Sequence, residues 1–326
     1  MISGSASTAA LAGCAALALL CAQEAGIAQP ANYPSQRITL IVAFAPGGAA
    51  DSIARLVGPR LSGRLGRTVI VENRGGAAGS IGARTVAAAA ADGHTVLVTT
   101  TSLLITEFVS KRPGYSTAQL AAVAIPASTP EMFATGAANA AKDLREFLSG
   151  ARRNSITYAT SGAGSGSHLG AAYFFKVLAK VEAVHVPFQG GGPAVGAAVG
   201  GHVDLVSNSL PSVIGHVKQG TLKGLAIASP QRVAALPDVP TLKELGYDFD
   251  EGTWVGFFVP AKTDPGIVAK LNREINDIVR EPDVRDRILA LGLQAEIRTA
   301  AETARHLAEE AGKFRRIVEA TGISSE

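Results

Sequence analysis

The sequence has few cysteines, few aromatic residues and little net charge. Only two of its 326 residues are cysteine, aromatic side chains make up 5%, and the formal net charge is +3. It has no long block of Lys and Arg and no pattern of alternating basic and aromatic residues, so we predict no nucleic-acid partner. Apolar residues still make up 47% of the chain, which is typical of a globular protein with an ample core rather than of a disordered one.

The amino-terminal segment contains no basic residue before Arg37. Its apolar stretch, residues 11–22, is too short to span a bilayer comfortably, and small residues at 26–28 suit a signal peptidase. We therefore predict that residues 1–28 are a secretory signal peptide, although the usual positive start is missing, and that the protein is periplasmic. The sequence Leu-Ala-Gly-Cys ending at Cys14 also resembles a lipoprotein cleavage box, so lipid anchoring at Cys14 is the alternative.

Both cysteines, Cys14 and Cys21, lie within this predicted signal peptide. Cleavage after Ala28 would leave a chain without cysteine, which excludes disulfides, thiol catalysis and thiolate metal sites. It would also remove Glu24 and raise the formal net charge to +4. We find no cluster of histidines and carboxylates, and so predict no metal and no cofactor.

Strands and helices alternate along the rest of the chain. Residues 37–44 form a continuous β-branched, apolar run, and residues 49–65 show helical spacing of apolar side chains. Further strands are predicted at 68–72, 94–100 and 120–125, with the last ending before Pro126. A second β-α-β series covers about 127–223, and the tail from about residue 256 reads as one strand followed by helices.

This order predicts an α/β protein with parallel sheets in two lobes. We assign residues 33–125 and 227–326 to lobe 1 and residues 126–226 to lobe 2, joined by connections near 125–128 and 226–230. The final helix is predicted from Ala300 to about Ala320. Its inward-facing side chains are predicted to be Ala304, Leu307, Ala308, Ala311, Phe314 and Ile317.

Two glycine-rich loops, each between a strand and a helix, are the strongest functional signal. The loop at 157–169 reads TYATSGAGSGSHL, and the loop at 44–52 reads FAPGGAADS. Unpaired N–H groups at a helix start, the helix dipole and nearby hydroxyl groups together favour an anion. Two such loops predict a ligand held between two lobes, whereas the simpler interpretation is that both are ordinary turns of an α/β sheet. The candidate ligand-binding residues here are Phe44, Gly47, Gly48, Asp51, Ser52, Ser161, Gly162, Gly164, Ser165, Gly166 and His168.

An ordered set of motifs resembles one known family. The motifs are Ile41–Arg55, Val71–Gly82, Ala91–Leu97, Ser165–Leu169, Val186–Gly190, Gly200–Asp204, Leu236–Gly246 and Trp254–Ala261. They resemble the Bug-type extracytoplasmic solute receptors of tripartite tricarboxylate transporters. The match extends from about residue 33 to the end. No single motif is decisive, but the ordered set is specific.

The resemblance implies a type II periplasmic binding fold whose two α/β lobes close on a small organic carboxylate. It also implies delivery to a permease that consists of one large and one small membrane subunit. Family positions that bind the carboxylate correspond to the two loops above and add Thr101, Ser102, Gln189 and Asp204. Independently, Asn208 follows a predicted strand, where α/β sheets present ligand contacts. A monomer is the simplest expectation.

The chain departs from the family pattern in three places, one of them a pair of neighbouring residues. The family often has Tyr-Lys where this chain has Phe188-Gln189, and acidic residues where it has Ala172 and Ala197. These departures predict a less polar second lobe. An aromatic acid is therefore an alternative to the di- or tricarboxylate that the family implies.

Other functions fit the residues less well. Ser161, Ser165 and His168, with Asp204, suggest a serine hydrolase, but no Gly-x-Ser-x-Gly elbow surrounds either serine. The glycine spacing is also not that of a dinucleotide loop. We predict a binding protein and not an enzyme; a secreted receptor that informs a membrane sensor is the alternative to transport.

Overall fold

The computed structural model describes residues 33–151, 155–250 and 252–324. The predicted signal peptide and the lipidation candidate Cys14 lie outside these residues. None of the helices within them has the length and apolar character needed to cross a membrane.

Ten strands and ten α-helices are assigned in the described residues. The strands are β1 Ile38–Val42, β2 Val69–Asn73, β3 Thr95–Thr100, β4 Leu120–Gly136, β5 Ile156–Thr160, β6 Ala183–Pro187, β7 Leu205–Ser209, β8 Leu222–Ala228, β9 Gly252–Pro260 and β10 Gln294–Ala295. The helices are α1 Ala49–Leu65, α2 Ser80–Ala87, α3 Ser102–Val109, α4 Leu144–Ala151, α5 Gly166–Tyr173, α6 Gly191–Val199, α7 Leu210–Lys218, α8 Pro265–Arg280, α9 Pro282–Ala290 and α10 Ala300–Thr321. A π-helix, Phe174–Ala179, continues α5, and 3₁₀ turns occupy Ala77–Gly79 and Thr117–Gln119.

One long strand joins two halves of the sheet. The strand order is β2-β1-β3-β9-β4-β7-β5-β6, with β8 and β10 also paired to β4. The pairs β1–β2, β1–β3, β5–β6 and β5–β7 are parallel, as the β-α-β order predicts, whereas β9 and β4 join them antiparallel. Up to Pro130, β4 pairs with β9, and from Glu131 it pairs with β7 and β8.

The prediction that a strand ends before Pro126 is wrong, because β4 continues through Pro126 and Pro130 to Gly136. The register of the β4–β9 ladder shifts between Ala124 and Ala127. Pro126, which has no N–H to donate, therefore lies where the ladder is irregular. The Pro126 carbonyl still accepts a hydrogen bond, from the Glu296 N–H at 2.9 Å. A bulge therefore accommodates a proline that would interrupt a regular ladder.

The apolar core consists of three clusters. One fills the half built on β1, β3 and β9, and the other two cover the two faces of the half built on β5 and β7. Leu236 and Val239 belong to one of these latter clusters, and Leu242 and Phe249 to the other. The lobe boundaries from the sequence stay a prediction, but this packing favours a second boundary near Gly252 rather than after residue 226.

The inward face of α10 differs in part from the prediction. Phe314 is buried, and Leu307, Ala311 and Ile317 pack against the first core cluster, but Ala304 and Ala308 are exposed. The buried stripe begins at Thr303, which is fully buried, and continues through Leu307 and Phe314. Ala304 and Ala308 lie one residue beyond this stripe, and so about 100° around the helix from it.

Candidate functional site

A small cavity lies between the two halves of the sheet, beside the point where β4 changes partners. Its volume is about 30 Å³, well below the roughly 300–1,000 Å³ of ordinary small-molecule sites, so the site is tight in this closed form. Its lining is dominated by glycines, hydroxyl groups and backbone at helix starts. The lining residues are Phe44, Gly48, Ala49, Ala50, Thr100, Glu131, Ser161, Gly166, Ser167, Gly191, Asn208, Ser209 and Thr253.

Four helices begin at this cavity. They are α1 after Gly48, α5 at Gly166, α6 at Gly191 and α7 after Ser209. The first N–H groups of a helix have no partner within the helix, and the dipole places partial positive charge at this end. Lys, Arg and His do not occur among the residues that line the cavity. The positive potential here therefore comes from backbone, which suits a small anion.

The first glycine-rich loop is held in place by Asp51. This buried carboxylate accepts hydrogen bonds from Gly47 N at 3.1 Å, Asn73 Nδ2 at 2.9 Å and Arg55 Nε at 3.0 Å. Burial raises the pKa of Asp51, but the bonds to Arg55, Asn73 and Gly47 outweigh it and hold the pKa below its usual value. Asp51 does not line the cavity; it fixes the loop that does.

The second loop is ordered by its own serines. Ser165 caps α5 by accepting the His168 N–H at 3.2 Å. The Ser167 hydroxyl contacts the Ser161 hydroxyl at 2.8 Å and that of Ser165 at 3.0 Å. Gly162 has a φ of 141°, which favours glycine, and its missing side chain leaves room for Ala78 and the Phe188 carbonyl. The loop therefore presents Ser161 and Ser167 to the cavity in a fixed arrangement.

His168 supports this loop from behind. Its Nδ1 accepts the Gly164 N–H at 3.1 Å, and its ring stacks on the His185 ring at a centroid distance of 3.8 Å. Burial lowers the pKa of His168 to about 3, with His185 and Lys176 contributing, and burial lowers that of His185 to about 4. Both rings are therefore neutral at pH 7, and neither lines the cavity.

Backbone contacts join the two halves across the cleft. Ala45 N–H donates to the Gln189 carbonyl at 3.0 Å, which joins the loop after β1 to the loop after β6. A methyl group added at Gly192 would lie 2.6 Å from the Pro46 carbonyl oxygen. The structure therefore shows the two halves closed on the cavity.

Comparisons with known proteins agree with this architecture. Residues 53–323 match the model of the tripartite tricarboxylate transporter family receptor, TctC. The protein BugT of Bordetella pertussis is 34% identical over 307 residues, covering 91% of this chain and 94% of BugT. This chain belongs to the TctC family.

Solved structures extend the likeness to three dimensions. The receptor superposes on Rpa4515 of R. palustris with adipate at a TM-score of 0.86 and 26% identity, covering 90% of this chain and 99% of the other. It superposes on MatC from Rhodopseudomonas palustris with bound malate at a TM-score of 0.80 and 31% identity, covering 88% of this chain and 100% of the other. The protein is a periplasmic solute-binding receptor of the α/β binding-protein fold, and it is not an enzyme.

The structure brings some of the predicted site residues of this receptor to the cavity and leaves others behind it. The cavity lining includes Phe44, Gly48, Ser161, Gly166 and Asn208. Several more shape or support the lining without entering it: Gly47, Asp51, Thr101, Ser102, Gly162, Gly164, Ser165, His168 and Gln189. The Gln189 side chain is exposed, and only its carbonyl contributes, through the bond to Ala45.

Two predicted residues lie away from the cavity. Asp204 is exposed at the opposite end of β7, where its Oδ2 accepts from Thr157 N at 2.7 Å and from the Thr157 hydroxyl at 2.8 Å. Ser52 lines a surface depression beside Arg55 and Arg60. The sequence places Asp204 before a strand and Ser52 on the back of a helix, so neither reaches the end of the sheet where the cavity lies.

The geometry gives no serine-hydrolase triad. The Ser165 hydroxyl accepts the His168 backbone N–H, while Nδ1 of the His168 ring accepts the N–H of Gly164. Asp204 is bonded to Thr157 instead of to a histidine. A triad needs a chain from nucleophile to base to orienting carboxylate, and these residues do not form one. The described part of the chain also contains no cluster of three or more His, Cys, Asp or Glu able to hold a metal.

The three departures from the family pattern lie outside the cavity. Ala172 belongs to the first core cluster, Ala197 belongs to the third, and Phe188 packs against the third. None of them is in the cavity lining. The sequence argument for a less polar site, and with it the argument for an aromatic acid, therefore loses its structural basis.

The most informative lining residue was missed. Glu131 follows Pro130 in β4, is only 4% exposed, and has an Oε2 atom without a hydrogen-bond partner among the described residues. A single carboxylate among apolar strand residues, Pro-Glu-Met-Phe-Ala, was a signal in the sequence that could have drawn attention to it. Thr253 was not predicted, because it lies in β9 and is brought to the cavity by the antiparallel pairing of β9 with β4.

Proposed function

We propose that this receptor captures a small organic carboxylate in the cavity and delivers it to the large and small membrane subunits of a tripartite tricarboxylate permease. The observation that carries the proposal is the convergence of four helix starts on one cavity whose lining contains no cationic side chain. Backbone N–H groups and hydroxyls bind a carboxylate through charge-assisted hydrogen bonds. The solved relatives that hold adipate and malate support the ligand class.

Closure of the two halves retains the ligand. Phe44 and Gly48 to Ala50 line the cavity from one half, and Ser161, Gly166 and Gly191 line it from the other. A ligand that contacts both sides only when they are shut shifts the equilibrium toward the closed form. The bond between Ala45 and Gln189 then belongs to the ligand-holding state, and its loss accompanies release.

The ligand is a di- or tricarboxylate in the first instance, as the family implies; an aromatic acid, which the cavity lining does not specifically favour, is the alternative outcome of the test. A panel of malate, adipate, citrate, benzoate and nicotinate, each with its amide, separates these classes. The assay is the thermal unfolding of the protein purified from the periplasm of cells that express the full chain. A ligand at 100 times its Kd stabilises the folded state by about 2.7 kcal/mol.

The expected result is a raised Tm with one or more acids and none with the matching amides. If no acid raises the Tm while an amide does, the anion site is not what binds the ligand and this proposal fails. Mass spectrometry of the same material tests the predicted cleavage after Ala28 and separates it from lipidation at Cys14. Gel filtration tests the expectation of a monomer.

Output to a membrane sensor is the second candidate, and the fold does not distinguish it from transport. Uptake of the radiolabelled ligand by cells with and without the receptor gene tests delivery. Loss of uptake on deletion supports a permease partner; unchanged uptake with a lost transcriptional response supports the sensor.

A further inference from the structure

Glu131 occupies an unusual environment for an acidic residue. It lies at the residue where β4 changes partners, opposite Ser209 of β7 and Ala228 of β8. Its carboxyl group is buried, lines the cavity, and has one oxygen, Oε2, without a partner among the described residues. A buried ionised carboxylate needs a cation or several donors to offset its desolvation. No cation lines this cavity, so the geometry favours the neutral acid.

A second unsatisfied group lies beside it. Asn208 is one residue from Ser209, is 2% exposed, and lines the same cavity. Its Oδ1 accepts the Ser209 N–H at 3.0 Å, whereas its Nδ2 has no partner among the described residues. Buried polar atoms without partners are rare in native proteins. Two of them at one cavity indicate that a ligand group completes both.

The chemistry of the two atoms defines the ligand group. A neutral Glu131 offers an O–H donor, and Asn208 Nδ2 offers an N–H donor. The helix starts around them also offer only donors. A group that accepts from all of these at once is a carboxylate, because it has two oxygens and about four acceptor sites.

We propose that Glu131 is a specificity-determining residue that binds the ligand as a neutral acid, donating its O–H to a ligand carboxylate that Asn208 Nδ2 also contacts. This inference rests on the proposed function, since it requires that the cavity binds a carboxylate. It adds that the O–H proton of Glu131 holds the ligand anion. Binding therefore keeps this proton when Glu131 is already protonated, and takes one up from solution when Glu131 is ionised. An O–H to carboxylate hydrogen bond is short and strong.

The proposal makes binding sensitive to pH in a defined window. Burial raises the pKa of Glu131 to about 8 in the structure without ligand, and a bound anion raises it further. Above that pH the receptor must take up a proton to bind, and affinity falls about tenfold per pH unit. Below about pH 8, Glu131 is already protonated in the free receptor, so the affinity does not change with pH.

Other titratable groups near the cavity are accounted for. Asp51 lies in the first turn of α1 and His168 in that of α5, with His185 behind it. Their pKa values are held below the usual range, to about 3 for His168 and about 4 for His185, so these groups do not change charge between pH 7 and pH 9.5. On the other side of β4, a separate surface cavity is lined by residues that include Asp250, Glu296, Arg298, His306, Glu310 and Lys313.

The test compares Glu131→Gln with wild-type receptor by isothermal titration calorimetry from pH 6.5 to 9.5. The probe is the panel acid that gives the largest thermal shift. Gln keeps an N–H donor at the same place but cannot ionise. We expect the wild-type Kd to rise about tenfold from pH 8.5 to 9.5, and the variant Kd to remain flat. Glu296→Gln is the matched control, because its carboxylate lies at the other cavity and accepts from the Ser128 hydroxyl at 2.8 Å; it should follow the wild type.

Parallel pH profiles for wild type and Glu131→Gln, flat or falling, would overturn the inference while leaving the proposed function intact. Absence of binding by every panel acid at every pH would overturn the proposed function, and this inference with it. A second measurement needs no variant: at pH 8.5 the wild-type binding enthalpy should depend on the ionisation enthalpy of the buffer, with a slope of up to one proton taken up. Zero slope contradicts the proposal.

Discussion

The backbone N–H of Ala45 donates a hydrogen bond to the carbonyl oxygen of Gln189 across the cleft, at 3.0 Å. These residues come from the loops after β1 and β6, one from each half of the sheet. The contact uses no side chain, so it depends on how closely the two backbones approach. The glycines around it, Gly190 and Gly192, make that approach possible: a methyl group at Gly190 would lie 2.9 Å from Ala45 N.

Gly192→Ala should weaken ligand binding without destabilising the open protein. The added methyl group would lie 2.6 Å from the carbonyl oxygen of Pro46, which belongs to the other half of the protein. Since closure contributes to affinity, we expect the Kd for the captured acid to rise about tenfold, equivalent to about 1.4 kcal/mol. Calorimetric titration measures this.

Gly196→Ala is the matched control on the same helix. Its added methyl group has no atom within 4 Å, and alanine is the better helix former. Affinity should be unchanged and the unliganded Tm equal or higher. Equal affinities for the two alanine variants would show that closure at Gly192 does not limit binding.

Much of the fold could be predicted because it depends on local patterns. Helix α1 has the predicted bounds, since its apolar spacing and the preceding glycine turn define it. The failures have tertiary causes. β4 continues through Pro126 because a bulge opposite β9 accommodates it. Helix α3, which was not predicted, is buried on most sides and so lacks an amphipathic pattern.

The site could be predicted only where one segment makes it. The two glycine-rich loops were found because strand, loop and helix start are contiguous in sequence, and both do border the cavity. Glu131 and Thr253 reach it from β4 and β9, which meet only through antiparallel pairing. Asp204 was predicted from a family motif, but it lies at the wrong end of its strand. Direction along a strand decides which residues face the ligand.

Asp51→Asn should reduce both stability and affinity. The carboxylate accepts from Gly47, Arg55 and Asn73, and an amide in its place leaves at least one of these partly buried hydrogen bonds unmade. Such a loss costs about 1–3 kcal/mol, measurable by urea unfolding. The loop before α1 would also lose its anchor, so the Kd should rise.

Asp277→Asn provides the comparison for that variant. Asp277 pairs with Arg280 at 2.7 Å on the surface of α8, where an i,i+3 ion pair contributes only about 0.3–0.5 kcal/mol. Similar losses in the two variants would mean that the Asp51 network does not hold the loop.

The stacked histidines should make the receptor acid-sensitive. Both are neutral in the folded state, with pKa values of about 3 for His168 and about 4 for His185, while an unfolded histidine titrates near pH 6.5. Below that pH the unfolded state binds more protons, so the free energy of unfolding falls as the pH drops. The loss is up to about 1.4 kcal/mol per pH unit for each histidine.

His168→Asn should reduce that loss between pH 6.5 and pH 4. The Asn side-chain oxygen can accept the Gly164 N–H that Nδ1 accepts in the wild type, and it does not titrate. His202→Gln, at an exposed position, should leave the pH profile unchanged. Urea unfolding at a series of pH values measures both; identical slopes for His168→Asn and wild type would contradict the neutral, buried state of this ring.

Glu131 should give the opposite dependence in the protein without ligand. Burial raises its pKa to about 8, whereas an unfolded glutamate titrates near pH 4.3. Between these values the folded state binds more protons, so its stability declines as the pH rises from about 4.3 to 8 and is constant above. Glu131→Gln removes this slope, and the difference in unfolding free energy between variant and wild type should therefore grow in favour of the variant from pH 5 to pH 8. If the difference in unfolding free energy stays constant from pH 5 to pH 8, the Glu131 carboxyl group is ionised in the folded protein. This prediction is then wrong, and so is the role of Glu131 as a neutral acid in the cavity.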